Sequence, residues 1–120
     1  MMRAAAAHDT GHFMAPFLHA TSLVFVFDGR FIHGWNTLYR QQLKSWQHGK
    51  SDVRYRMEYP VEFMPLAPGV EVTTLRLNAR RVLSNRTVST SAIVVTYIWR
   101  RLPEGWRIVY GHESWVNPPH

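Results

Sequence analysis

The chain has 120 residues, 46% of them hydrophobic and 18% charged, which suits one domain with a core of its own and excludes a disordered tail. It contains no cysteine, so disulfides, thiolate metal sites and a cysteine nucleophile are excluded, and a reducing compartment, the cytoplasm, is the expected location. The formal net charge of +6 is carried by scattered arginines, with only Arg80-Arg81 and Arg100-Arg101 adjacent; strand neighbours point to opposite faces, so neither pair makes a patch and no nucleic-acid partner is expected.

The start, MMRAAAAH, is too short in apolar residues for a signal peptide and reads as the tail of an Ala-rich helix. No run approaches the roughly 20 apolar residues of a membrane span, so no membrane partner is expected. Thr10 to His19 predicts a short helix with Phe13, Met14, Phe17 and Leu18 on one side, Asp9 or Thr10 as N-cap, and Pro16 as an interruption. Ser22 to Phe27 is a β-rich run, and Asp28-Gly29 before Arg30-Phe31-Ile32 predicts a hairpin, because a type I′ turn needs positive φ at both central residues. A helix follows from Gly34 to about Gln47, its apolar face built by Trp35, Leu38, Tyr39, Leu43 and Trp46 and its end set by Gly49.

From Asp52 the pattern changes to alternation. Val53, Tyr55, Met57 and Tyr59 face inward, while Arg54, Arg56 and Glu58 face out. Pro60 and Pro65 suggest an edge strand or a bulge, and Pro68-Gly69 a type II turn. Three long strands follow: Val70 to Leu83, Arg86 to Leu102 and Trp106 to Val116. The strand before Pro68-Gly69 matches the others in parity only if a bulge intervenes near Pro65, and its register stays open.

Pairing assigns the faces. With Ser84-Asn85 as a two-residue loop, Leu77 lies opposite Ala92 and Thr73 opposite Thr96; with Pro103-Glu104-Gly105 as a three-residue loop, Thr96 lies opposite His112 and Val94 opposite Ser114. Opposed residues share a face, and both hairpins give the same parity. Leu75, Leu77, Ala79, Ala92, Val94, Thr96, Ile98, Tyr110, His112 and Ser114 then look inward. Ile93, Val95, Tyr97, Trp99, Val109 and Trp115 fall on the opposite face. So much exposed apolar surface predicts a homodimer packed sheet to sheet on those six, with Arg76, Arg80 and Glu113 at the rim.

The order helix, hairpin, helix and long antiparallel strands ending in GWRIVYGHESW resembles the nuclear transport factor two-like superfamily, specifically its SnoaL-like members. The last strand, with Gly105-Trp106-x-Ile108-Val109 and His112-x-Ser114, carries most of the likeness, which covers nearly the whole chain as one domain, 1–120. The resemblance implies an α+β, cone-shaped fold whose curved antiparallel sheet wraps around helices to form a pocket. It also implies frequent dimers, and functions from isomerase and dehydratase to scaffolding. The first helix is short or truncated by comparison, which predicts at most two turns from Met1 to Ala7 and a pocket mouth that is more open than in relatives or closed by a partner chain. An ungapped match puts Phe25 where the steroid isomerases of that superfamily carry a carboxylate.

The expected pocket is apolar and lined by Phe25, Trp35, Tyr55, Tyr59, Val94, Thr96, Tyr110, His112 and Ser114. His112 is the candidate catalytic base or ligand anchor, weighed against a core histidine bonded to Thr96 or a neighbouring tyrosine. Ser114 sits two residues from His112, about 7 Å along a strand, too far for a nucleophile pair. His8-x₃-His12 has helical metal-site spacing, but Gly11 interrupts it and no third ligand suggests itself, so no metal and no cofactor are expected. The sequence thus reads as a domain binding a small, largely apolar molecule, with acid–base chemistry of the isomerase, cyclase or dehydratase type. The alternative is a non-catalytic dimerisation or scaffold domain with a vestigial pocket.

Overall fold

A computed structural model of the chain describes every residue except Met1, Lys50, Tyr59, Ser84 and 117–120, and the side chains of Met2 and Ala6. Two short helices open it, α1 (Met2–Ala6) and α2 (Thr10–Met14). Asp9 caps α2 by accepting a hydrogen bond from the backbone N–H of His12, and Pro16 follows two residues after the helix ends. Strands β1 (Val24–Phe27) and β2 (Arg30–His33) meet at Asp28-Gly29, both at positive φ (45° and 84°), as a type I′ turn demands. Helix α3 (Trp35–Ser45) then runs into a 3₁₀ turn (Gln47–Gly49), and five strands complete the chain: β3 (Arg54–Met57), β4 (Glu62–Ala67), β5 (Val70–Val82), β6 (Val88–Leu102) and β7 (Gly105–Val116).

These strands form one curved sheet in the order β2-β1-β7-β6-β5-β3, with β4 beside the first half of β5. The sheet is mixed: β1 runs parallel to β7, with Phe25 opposite Gly111, and all other pairs are antiparallel. The helices lie in its concavity. Met14, Phe17, Leu23, Ile93 and Ile108 are almost wholly buried there. The segment after α2 is stitched to β7 by two backbone bonds, Leu18 N–H to the Ile108 carbonyl (2.8 Å) and Ile108 N–H to the Pro16 carbonyl (2.9 Å). Among the described residues no helix is long and apolar enough to cross a membrane.

The β5–β6 register corrects the sequence reading. Leu77 lies opposite Ile93, not Ala92, and Thr73 opposite Tyr97, because Val82 pairs with Val88 across a five-residue loop. That loop is held by local polar groups: Thr87 N–H donates to Asn85 Oδ1, Leu83 N–H to the Thr87 carbonyl, and Arg86 takes the positive φ (67°). A shift of one residue exchanges the two faces of β6. Between β6 and β7, Thr96 does lie opposite His112 and Ile98 opposite Tyr110. That register has another origin than a three-residue loop: Leu102 pairs with Gly105 around a two-residue turn, and a bulge at Val109, where Ile98 and Trp99 face Tyr110 and Ile108, restores the offset. A further irregularity falls between Pro65 and Ala67 of β4.

Gly111 marks the closest approach on the concave face. A Cβ there would lie 2.6 Å from Cδ2 of Phe25 and 3.1 Å from Cδ1 of Tyr97, both rings being buried. Gly111→Ala is expected to cost about 1–3 kcal/mol by overpacking, read as a lower denaturant midpoint.

Candidate functional site

The concave side chains of three strands converge on a cavity of about 400 Å³. Its floor is apolar: Leu75 and Leu77 from β5, Ile93, Val95 and Tyr97 from β6, and Met57 from β3. Phe13 of α2 and Trp46 after α3 close it on the helical side, while Phe63 of β4, 67% exposed, stands at its open side. The polar atoms of this wall are largely paired. Trp99 Nε1 donates to Thr73 Oγ1 (2.9 Å) and Trp46 Nε1 to the Tyr55 hydroxyl (3.0 Å). A second chamber of about 300 Å³ adjoins the first, and Gln42, Trp46, Tyr55 and Glu113 line both.

Among the described residues, Glu113 is the one carboxyl group in the wall of the larger chamber. Past the Val109 bulge, alternation along β7 turns Gly111, Glu113 and Trp115 inward, opposite Tyr97, Val95 and Ile93. Burial among apolar groups pushes the Glu113 carboxyl up to about 7; the Trp115 indole, donating to Oε1 at 2.7 Å, partly offsets this, and the neighbouring Asp28 adds to it. Asp28 is placed by its turn, its Oδ1 accepting from the backbone N–H of Trp115 (3.0 Å) and its own N–H donating to the Glu113 carbonyl. Burial also pushes the phenols of Tyr55 and Tyr97 up, and the charge of Glu113 adds to both, so they stay protonated as donors. A carboxyl that titrates near neutrality beside phenolic donors can take a proton from a carbon or hydroxyl group and return it elsewhere.

The exchanged faces of β6 rearrange the residues picked from sequence. Tyr55 lines the cavity and Phe25 the second chamber. Tyr59 lies outside the described residues. Val94, Thr96, Tyr110, His112 and Ser114 are together, as their pairing requires, but on the convex face; His112 and Ser114 are exposed there, so His112 does not reach the cavity. Trp35 faces neither chamber: its indole donates to the Met14 carbonyl (3.1 Å) and stacks on His19 and Tyr39. Of the six residues expected on a dimer face, Ile93, Val95, Tyr97 and Trp99 line the cavity, Trp115 the second chamber, and Val109 occupies the bulge. The five that line the chambers face the inside of their own chain. His8 and His12 diverge, His8 bonding the Val53 carbonyl in the interior and His12 the Asp9 carboxylate at the surface. No group of three or more metal-ligating side chains occurs among the described residues.

Sequence reasoning placed Glu113 outside. The signal was present, a lone acid between Gly111 and Trp115 in an alternating strand, but it depends on which parity faces in.

No family model matches the chain, and no curated protein does. Solved structures do. A protein of cystatin-like fold from Caulobacter vibrioides superimposes with a TM-score of 0.78 at 18% identity, over 97% of this chain and 82% of that one. A protein provisionally assigned as a dehydratase of the NTF2-like family, from Streptomyces avermitilis, gives 0.74 at 15% identity over 97% and 88%. The association domain of C. elegans CaMKII gives 0.74 at 16% identity over 94% and 85%.

Proposed function

From the nuclear transport factor 2-like fold that this chain has, we propose that it binds a small, largely apolar molecule in the larger chamber and moves a proton on it through Glu113. The observation that carries this reading is the Glu113 carboxyl, held near neutrality in an apolar wall beside the Tyr55 and Tyr97 phenols. Glu113 is the general base and acid, and a tyrosine is the donor that steadies the developing negative charge. Isomerisation and loss of water both need only such a pair, and the likeness to a provisional dehydratase is in keeping with it. The lack of cysteine fits the cytoplasm as its location. Trp46 and Trp99 line the chamber, so their fluorescence reports occupancy. With 1-octanol as probe, Leu75→Trp, which pushes a bulky ring into the chamber, is expected to weaken binding about tenfold, and His112→Ala on the far face to leave it unchanged. Equal binding by wild type and Leu75→Trp would defeat the reading.

Self-association is a second reading with its own observation. On the convex face Met64, Val72, Ile98, Tyr110 and Val24 stand side by side across five strands, none of them fully buried. A second copy packed on this row would bury it from both chains at once, and the likeness to an association domain points the same way. Ile98→Asp is expected to raise the dimer dissociation constant about 30-fold, measured by sedimentation. A monomeric wild type would overturn the dimer.

A further inference from the structure

The two chambers differ in chemistry. The larger is walled by aliphatic and aromatic side chains. The smaller presents Gln41, Gln42, Ser45 and Ser51, which offer both donors and acceptors. Its charges are of both signs. Asp28 and Glu113 stand on one side, and Arg81, bound to the Asp52 carboxylate at 3.0 Å, on another. An anionic ligand group would face the two carboxyls and a cationic one the guanidinium. A neutral group with several hydroxyls or amides meets neither penalty and matches the amides and hydroxyls of the wall.

We propose that the ligand has two parts, an apolar body seated in the larger chamber and a neutral, hydroxyl- or amide-bearing head seated in the smaller one, joined where Gln42, Trp46, Tyr55 and Glu113 line both. This rests on the reading of the larger chamber as a binding site and adds the class of molecule. The reacting carbon or hydroxyl then lies at the junction of body and head, against the Glu113 carboxyl. The head fixes which atom is presented, and the body supplies most of the affinity.

Four probes with one eight-carbon body separate the possibilities: 1-octanol, octyl β-D-glucoside, octanoate and octylamine, titrated into the full chain below their micelle concentrations with tryptophan fluorescence and calorimetry as readouts. The glucoside is expected to bind about tenfold more tightly than octanol, the yield of one or two net hydrogen bonds, and octanoate and octylamine to bind less tightly than the glucoside. Gln41→Leu keeps the size of the side chain and removes its amide; it should lower the glucoside's advantage to about threefold and leave octanol binding as it was. Octanol bound but no advantage for the glucoside would overturn the two-part ligand and spare the larger chamber. Octanoate or octylamine as the tightest probe would overturn the neutral head. Failure of all four to bind would overturn both readings.

Discussion

Glu113→Gln is expected to make the protein more stable at pH 8 than the wild type, while removing its capacity for proton transfer. The folded state holds the Glu113 carboxyl at about 7 against an ordinary value of 4.5. Between those values the unfolded chain ionises and the folded one does not. The stability this group contributes is therefore full below about pH 4.5 and lost as pH rises through 7. A shift of that size corresponds to at most about 3 kcal/mol, and solvent lowers the figure, since Glu113 is only partly buried and lines the cavity. Gln keeps an acceptor for the Trp115 indole and carries no charge to bury. Denaturant midpoints measured from pH 4 to 8 should converge for the two proteins at the acid end and separate toward pH 8, with the variant above. Turnover of a substrate that the chamber accepts should fall by about 10²–10⁴. Parallel stability profiles would show that the carboxyl is not enclosed as described. A gain in stability with turnover intact would remove Glu113 from the chemistry. A stabilising loss of function of this kind is the mark of a group kept in an unfavourable place for its reactivity.

Phe17→Ala should be the most destabilising single truncation of the core, by about 3–5 kcal/mol. Phe17 is 1% exposed and meets Phe13, Phe25 and Tyr97 at ring-centroid distances of 5.6, 6.4 and 5.6 Å, the last edge to face. It joins a segment with no regular secondary structure to the sheet, and the truncation leaves a hole under Tyr97, which lines the larger chamber. The backbone bonds from Pro16 and Leu18 to Ile108 do not depend on the side chain, so the hole cannot close by a shift of the segment. For a domain whose total stability is about 5–15 kcal/mol, the variant is at the edge of folding. Phe17→Leu, which keeps most of the volume, should cost well under half as much, and equal midpoints for the two variants would show that the site collapses freely.

How far the sequence alone reaches is clearest in the long strands. The Asp28-Gly29 hairpin, the Asp9 cap and the inward set Tyr55, Met57, Leu75 and Leu77 were legible, because turn chemistry and alternation act over a few residues. So was the pairing of Thr96 with His112, although two errors cancelled in it: a loop read one residue too long and a bulge not foreseen. The faces of β6 and the end of β7 were not legible. Both faces of these strands carry apolar side chains, so alternation alone does not orient them, and everything hung on the length of one loop. Ser84-Asn85 looked like a two-residue turn, but Asn85 spends its side chain on the Thr87 N–H and the loop spans five residues. That single residue of offset sent His112 outward and Tyr97 inward.

By itself the sequence determined the α+β class, the Asp28-Gly29 hairpin, the positions of the three long strands and the likeness that led to the fold. Each of these depends on composition or on contacts between near neighbours. Only the tertiary structure decided which acid lines the cavity. The Glu113 carboxyl is raised to about 7 by burial, with Asp28 adding to it and the Trp115 indole partly offsetting it. Asp28 lies 85 residues away and is brought there by the parallel pairing of β1 with β7. No local pattern encodes that pairing, because it joins the first strand of the chain to the last.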